Sequence, residues 1–121
     1  MSQADDLQQR ADTFADRSIE FVGGLPSSMI AQRIGAQYLD ASTSVAANYR
    51  AARRGRSYAE FAAKIGVVAE EADESAFWLH RLAKAGINST VAIEPLLAEA
   101  VELAKIFTAA ARTARKRRGG K

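Results

Sequence analysis

Cysteine is absent from the 121 residues and histidine occurs once, and these two shortages remove whole classes of chemistry before any pattern is read. Without cysteine there is no disulfide, no thiolate zinc site and no cysteine nucleophile. A single histidine, His80, excludes the di-iron centres that four-helix bundles build from a Glu-x-x-His pair on each of two helices, and the residue three before it is Phe77. No uncharged apolar run approaches the roughly 18 to 20 residues that a membrane span needs. The opening MSQADDLQQR is polar and acidic with no apolar stretch behind it, so a secretory signal is not supported. A reducing interior suits the missing cysteine, and the expected location is the cytoplasm.

What is present reads as one ordinary folding unit. With 48% hydrophobic and 26% charged residues the chain, 1–121, is expected to form a single domain. The net charge of +3 hides an asymmetry: Arg112, Arg115, Lys116, Arg117, Arg118 and Lys121 hold six of the 17 basic residues, and all 14 acids lie earlier. The body is therefore net acidic, and a basic C-terminal tail over about 112–121 sets the high pI.

Helical periodicity is clear in four segments. Leu7, Ala11, Phe14, Ser18, Phe21 and Leu25 define one helix face, ended by Gly23-Gly24 and Pro26. Ser27 or Ser28 caps a second helix whose stripe is Ile30, Ile34, Tyr38, Ala41, Val45, Asn48 or Tyr49, and Ala52, running to about Arg54 before Gly55. Ser57-Tyr58-Ala59-Glu60 is a capping box for a third helix, with Phe61, Ile65, Val68, Ala72, Ser75, Leu79 and Leu82 inward and Gly86 as a left-handed stop. A fourth begins between 90 and 95, capped by Asn88, Ser89 or Thr90 with Pro95 in its first turn. Its stripe is Leu96, Ala100, Leu103, Phe107 and Ala110 or Ala111, fading near Arg115. No strand pattern appears. Short connections make sequential helices antiparallel neighbours, so the expected fold is all-α, an up-down-up-down four-helix bundle. Its alanine-rich stripes bury little area each, since an extra CH₂ is worth about 0.8 kcal/mol, and Val67 and Trp78 lie off the main stripe of the third helix. Both features point to burial in a homo-oligomer.

The candidate sites each carry a plain structural reading. His80 reads as a surface or edge residue. Glu70, Glu71, Asp73 and Glu74 read as a solvated face or as partners for arginines on a neighbouring helix or subunit, and no catalytic partner or metal set accompanies them. Asn48 and Tyr49 fall near an inner face, where a hydrogen-bonded amide would align helices. Arg50, Arg53, Arg54 and Arg56 crowd the end of the second helix. Cations suit a helix C-terminus, but four within seven residues exceed that need, and guanidinium fits phosphate or carboxylate bidentately. An ion-pair network and an anion-binding patch both remain open.

The runs SVAANYRAARRGRS (44–57) and EFAAKIGVVAEEADESAFWLHRLAKAG (60–86) resemble the four-helix bundle family of 23S rRNA-intervening-sequence proteins. The carrying motifs are Ser44 to Ala52, Arg56-Ser57, Glu60 to Lys64 and Glu71 to Leu79, with Glu99 to Leu103 a weaker one, and the resemblance spans about residues 5–115. It implies a left-handed antiparallel bundle that assembles as a ring, typically a homopentamer, with no enzymatic activity and no cofactor. Relatives that accompany diversity-generating retroelements are accessory subunits that bind nucleic acid and a reverse transcriptase through basic surfaces. The expectation is a non-enzymatic oligomeric binding or scaffold protein with RNA or another nucleic acid as its leading partner, met by Arg50, Arg53, Arg54, Arg56, Arg112, Arg115, Lys116, Arg117 and Arg118. The alternative is a structural protein-interaction module, in which those arginines meet the acidic run across subunits. An enzyme or metal carrier is the third class, for which the histidine and cysteine census leaves almost no groups.

Overall fold

Serine begins three of the four helices at the places where backbone amides would otherwise lack partners. In the computed structural model, which describes residues 2–120 and side chains through Arg117, α1 spans Gln3–Gly23, α2 Met29–Arg53, α3 Tyr58–Lys84 and α4 Ile93–Gly120. Ser2 Oγ accepts from the Asp5 amide while the Asp5 carboxylate accepts from the Ser2 amide, a reciprocal box. Ser28 caps α2 through the Ala31 amide, and Ser57 caps α3 through the Glu60 amide at 3.1 Å. At the far end of α3 Gly86 adopts φ +71, the left-handed stop that an L side chain would strain. The described residues contain no strand.

The expected stripes are the buried faces, with one exception on α2. Ile30 is 59% exposed, and Ala31 and Gly35 take the inward positions instead. At Gly35 the fit is close: Leu25 Cδ1 lies 2.8 Å from where a Cβ would stand, so a side chain there would displace Leu25. Deeper in, Phe14, Phe21, Tyr38, Ile65, Leu79, Leu82, Leu103 and Phe107 are fully buried, with alanines between them that let the helices approach closely.

Side-chain pairs set the direction of the elements. Asp5 meets Arg53, Gln8 meets Ala46 and Ser18 meets Tyr38, so α1 and α2 run antiparallel. Arg10 meets Glu99 and Phe21 meets Ser89, so α1 and α4 do too. The α3–α4 connection is tied to the end of α1: Ser89 Oγ donates to the Phe21 carbonyl at 2.7 Å, and the Thr90 amide donates to the Gly24 carbonyl at 3.2 Å. A side chain at Gly24 would collide with Thr90 and Ser89. Ser89, one expected cap for α4, thus adds a second donor to a carbonyl in the last turn of α1 that also accepts from the Gly24 amide, and α4 begins four residues later.

The buried hydrogen bond expected at Asn48 lies elsewhere. Asn48 Nδ2 donates to the Ser44 carbonyl of its own helix at 2.9 Å, whereas Ser18 and Tyr38 share a fully buried hydroxyl–hydroxyl bond of 2.6 Å between α1 and α2. Phe14 and Phe21 pack edge-on against the Tyr38 ring at 6.5 and 5.7 Å. Tyr38→Phe is expected to lower stability by about 1–2 kcal/mol by orphaning the Ser18 hydroxyl. Adding Ser18→Ala should recover part of that loss, and simple additivity of the two in urea unfolding would show the hydroxyls to be uncoupled.

Candidate nucleic-acid interface

Two basic segments more than fifty residues apart in the chain lie at the end of the bundle where α1 begins. The first is the end of α2. Arg50 and Arg53 occupy its last turn, Arg54 is its C-cap, and Arg56 lies in the turn before Ser57. Arg50, Arg53 and Arg54, with Gln8 and Asp12 of α1, line an open hollow of about 500 Å³. The second is the end of α4, which continues past Ile106 and Ala110, the α4 residues that share a hollow with Gln3, Ala4, Leu7 and Tyr49.

The C-terminal basic segment continues α4, which runs to Gly120, while the buried stripe of Leu103, Phe107 and Ala111 ends at Ala114, next to Arg115 as expected. Arg112, Arg115, Lys116 and Arg117 are therefore exposed on a packed helix. The Arg118 side chain and Lys121 lie outside the described residues. Arg112 faces differently from the α2 arginines: it borders a hollow between α3 and α4 that also holds Asp73 and Lys105.

Within the first segment Arg53 is the held member. Its Nη2 lies 2.6 Å from Asp5 Oδ1, and its guanidinium lies 5.9 Å from the centre of the Tyr49 ring, which in turn packs at 5.1 Å against Phe107. The hydrogen bond from Arg53, then that of Ser2, holds the Asp5 carboxyl below its ordinary range. Arg50, Arg54 and Arg56 make no salt bridge among the described residues, and none of the four meets Glu70 to Glu74 within the chain. Gln8 Nε2 donates to Asp12 Oδ1 at 2.9 Å and to the Ala46 carbonyl, leaving its buried Oε1 without a partner beside the arginines.

The other candidates separate from this end. Glu70, Asp73 and Glu74 are exposed on the middle of α3 and Glu71 is half-buried. Burial raises the Glu71 carboxyl, and Glu74, Glu70 and Asp40 of α2 add to the effect. His80 is exposed. Among the described residues no group of three or more histidine, aspartate or glutamate side chains is placed to hold a metal ion. The Tyr38 hydroxyl is pushed far above the tyrosine range by burial, and so stays neutral. Trp78 is half-buried against the core, so its own bundle already covers much of it. The exposed apolar residues beside it are Phe77 and Val67, which share an outer stripe of α3 with Glu70, Glu74 and Arg81.

One feature had no signal in the sequence. Between α1 and α4 a groove of about 980 Å³ opens over Phe14 and Leu96 and is spanned by a bidentate Arg10–Glu99 pair at 2.7 and 2.9 Å. Neither helix contains that pairing on its own.

A family model described as 23S rRNA-intervening sequence protein matches residues 4–109. A solved structure of a protein with unknown function from the S23 ribosomal protein family of Bacteroides thetaiotaomicron superposes with TM-score 0.77 at 21% identity, covering 92% of this chain and 99% of that one. No curated protein matches the chain. Helix for helix, that likeness concerns the fold.

Because the raised Glu71 carboxyl is easier to protonate folded than unfolded, its charge weakens the fold once pH exceeds the unfolded carboxylate range, and the penalty is complete above its folded pKa. Glu71→Gln is therefore expected to raise Tm at pH 7. The gain should vanish as pH falls below the carboxylate range, where wild type is itself neutral at this position; a pH-independent difference in thermal melts would contradict it.

Proposed function

The chain belongs to the 23S rRNA-intervening sequence protein family, and from that premise we propose that it is a non-enzymatic, oligomeric, cytoplasmic scaffold that binds RNA through the basic end of its bundle. The observation that carries this reading is that Arg50, Arg54 and Arg56, all without an intrachain salt bridge among the described residues, and the exposed Arg115, Lys116 and Arg117 of α4 belong to the same end of the bundle, the one where the antiparallel α1 begins. Helix α2 ends there beside the start of α1, so the partial charges of those two helix ends offset one another and do not call for so many cations. Guanidinium groups at that density suit phosphate oxygens, and neutralising phosphates releases condensed counterions. No side chain is arranged to read base edges, so recognition is of backbone charge and shape.

Oligomerisation multiplies this surface, because symmetric copies present it repeatedly to one strand. The homopentamer implied by the sequence resemblance is the proposed state. Its support in the fold is the outer stripe of α3, where Phe77 is 49% and Val67 40% exposed between charges of both signs. The same stripe favours the second reading, a protein-interaction module without nucleic acid, in which other copies or another protein cover it.

Two measurements separate these readings. Labelled single-stranded RNA should bind with weak sequence dependence and with an affinity that falls steeply with salt. Replacing Arg50, Arg54 and Arg56 by Gln, or Arg115, Lys116 and Arg117 by Gln, should each flatten the slope of log K against log salt by about 0.7 for every phosphate that is no longer neutralised. Absence of binding at about 50 mM salt would leave the interaction-module reading. In light scattering at micromolar concentration the protein should be a multiple of its 13.0 kDa chain mass, and Phe77→Glu should shift it toward monomer; a wild-type monomer would end the oligomer proposal.

A further inference from the structure

We propose that Asp5 is a built-in competitor for the phosphate-binding face, holding Arg53 away from RNA, an inference that rests on the nucleic-acid reading above. Of the α2 arginines, only Arg53 has an intrachain anion among the described residues, at 2.6 Å. That anion is supplied from the opposite end of the pairing, forty-eight residues earlier, by the one carboxylate that also closes the α1 capping box. The Ser2 hydrogen bonds restrict where the Asp5 carboxylate can stand, and Tyr49 beneath the guanidinium restricts where Arg53 can turn. The pair is thus aligned from both sides. Asp12, drawn to Gln8, adds a second carboxylate to the hollow that Arg53 shares with Arg50 and Arg54.

Both partners are nevertheless open to water, with side-chain exposures of 31% and 48%. An exposed ion pair of this kind is a weak bond, strong enough to compete with a single phosphate and weak enough to yield when several phosphates arrive together. The arrangement sets a threshold: isolated anions meet Arg50, Arg54 and Arg56, and only a polyanion with several phosphates in reach displaces Asp5 and recruits Arg53.

The test uses the full chain and a labelled uridine 20-mer. Asp5→Asn is expected to tighten binding about two- to five-fold, the span that an exposed ion pair is worth, with an unchanged salt slope, because the 20-mer already draws Arg53 to a phosphate in the wild type and the variant removes only the cost of displacing Asp5. Asp6→Asn removes the same charge from the same turn without touching Arg53, and should give a smaller gain and an unchanged slope. Adding Arg53→Gln to Asp5→Asn should abolish the gain, and Asp5→Ser provides a second neutral variant with its own short capping side chain. Equal effects of Asp5→Asn and Asp6→Asn, or weaker binding by Asp5→Asn, would overturn the competitor role of Asp5 while leaving RNA binding intact. Failure of wild type and every variant to bind would overturn both.

Discussion

The antiparallel alignment of α1 with both α2 and α4 is the constraint on which the remaining structure depends. A few directional interactions hold it: the sealed Ser18–Tyr38 hydroxyl pair toward α2, the Arg10–Glu99 fork toward α4, and the hydrogen bonds of Ser89 and Thr90 to the last turn of α1. Apolar burial drives the helices together but is indifferent to sliding, because a face of alanines fits another at several registers. A buried hydroxyl is not indifferent, since it loses its partner on any slip. Register therefore decides which ends of the helices coincide.

From that register follows the electrostatic character of the molecule. A chain whose body is net acidic still presents basic side chains together, because antiparallel alignment brings the end of α2, with its arginines, and the end of α4 to the end of the bundle where α1 begins. The acidic run Glu70 to Glu74 stays on the middle turns of α3, and Glu60 alone of the α3 acids lies in its first turn. The charge of the whole chain, +3, describes neither region. The local field near one end governs encounter with a polyanion, and the Asp5 carboxylate sits inside that field as its local counterweight.

Much of this is legible in the residues alone. The four helices, their glycine and serine boundaries and nearly all inward positions follow from the 3.6-residue period and from the orphan amides and carbonyls at helix ends. Some positions depart from that reading. Ile30 reads as core by hydrophobicity, yet it is exposed while the neighbouring Ala31 is buried, and Gly35 lies directly under Leu25. Asn48 reads as the buried polar pin because amides often are, but it bonds within its own helix, while Ser18 and Tyr38 read as ordinary members of apolar stripes. The apolar stripe of α4 ends at Ala114, as its pattern indicates, while the helix itself continues through the basic residues beyond it.

Sequence by itself determined the fold class, the helix boundaries, the family motifs and the identity of the basic residues, because each of these depends on neighbours within about one or two turns. Only tertiary structure decided that two distant basic segments share an end, that Arg53 has Asp5 as its partner while the acidic run has no arginine from α2, and that a groove opens between α1 and α4. Those outcomes depend on the relative axial position of whole helices. That position is set by interactions between side chains far apart in the chain, which no local periodicity encodes.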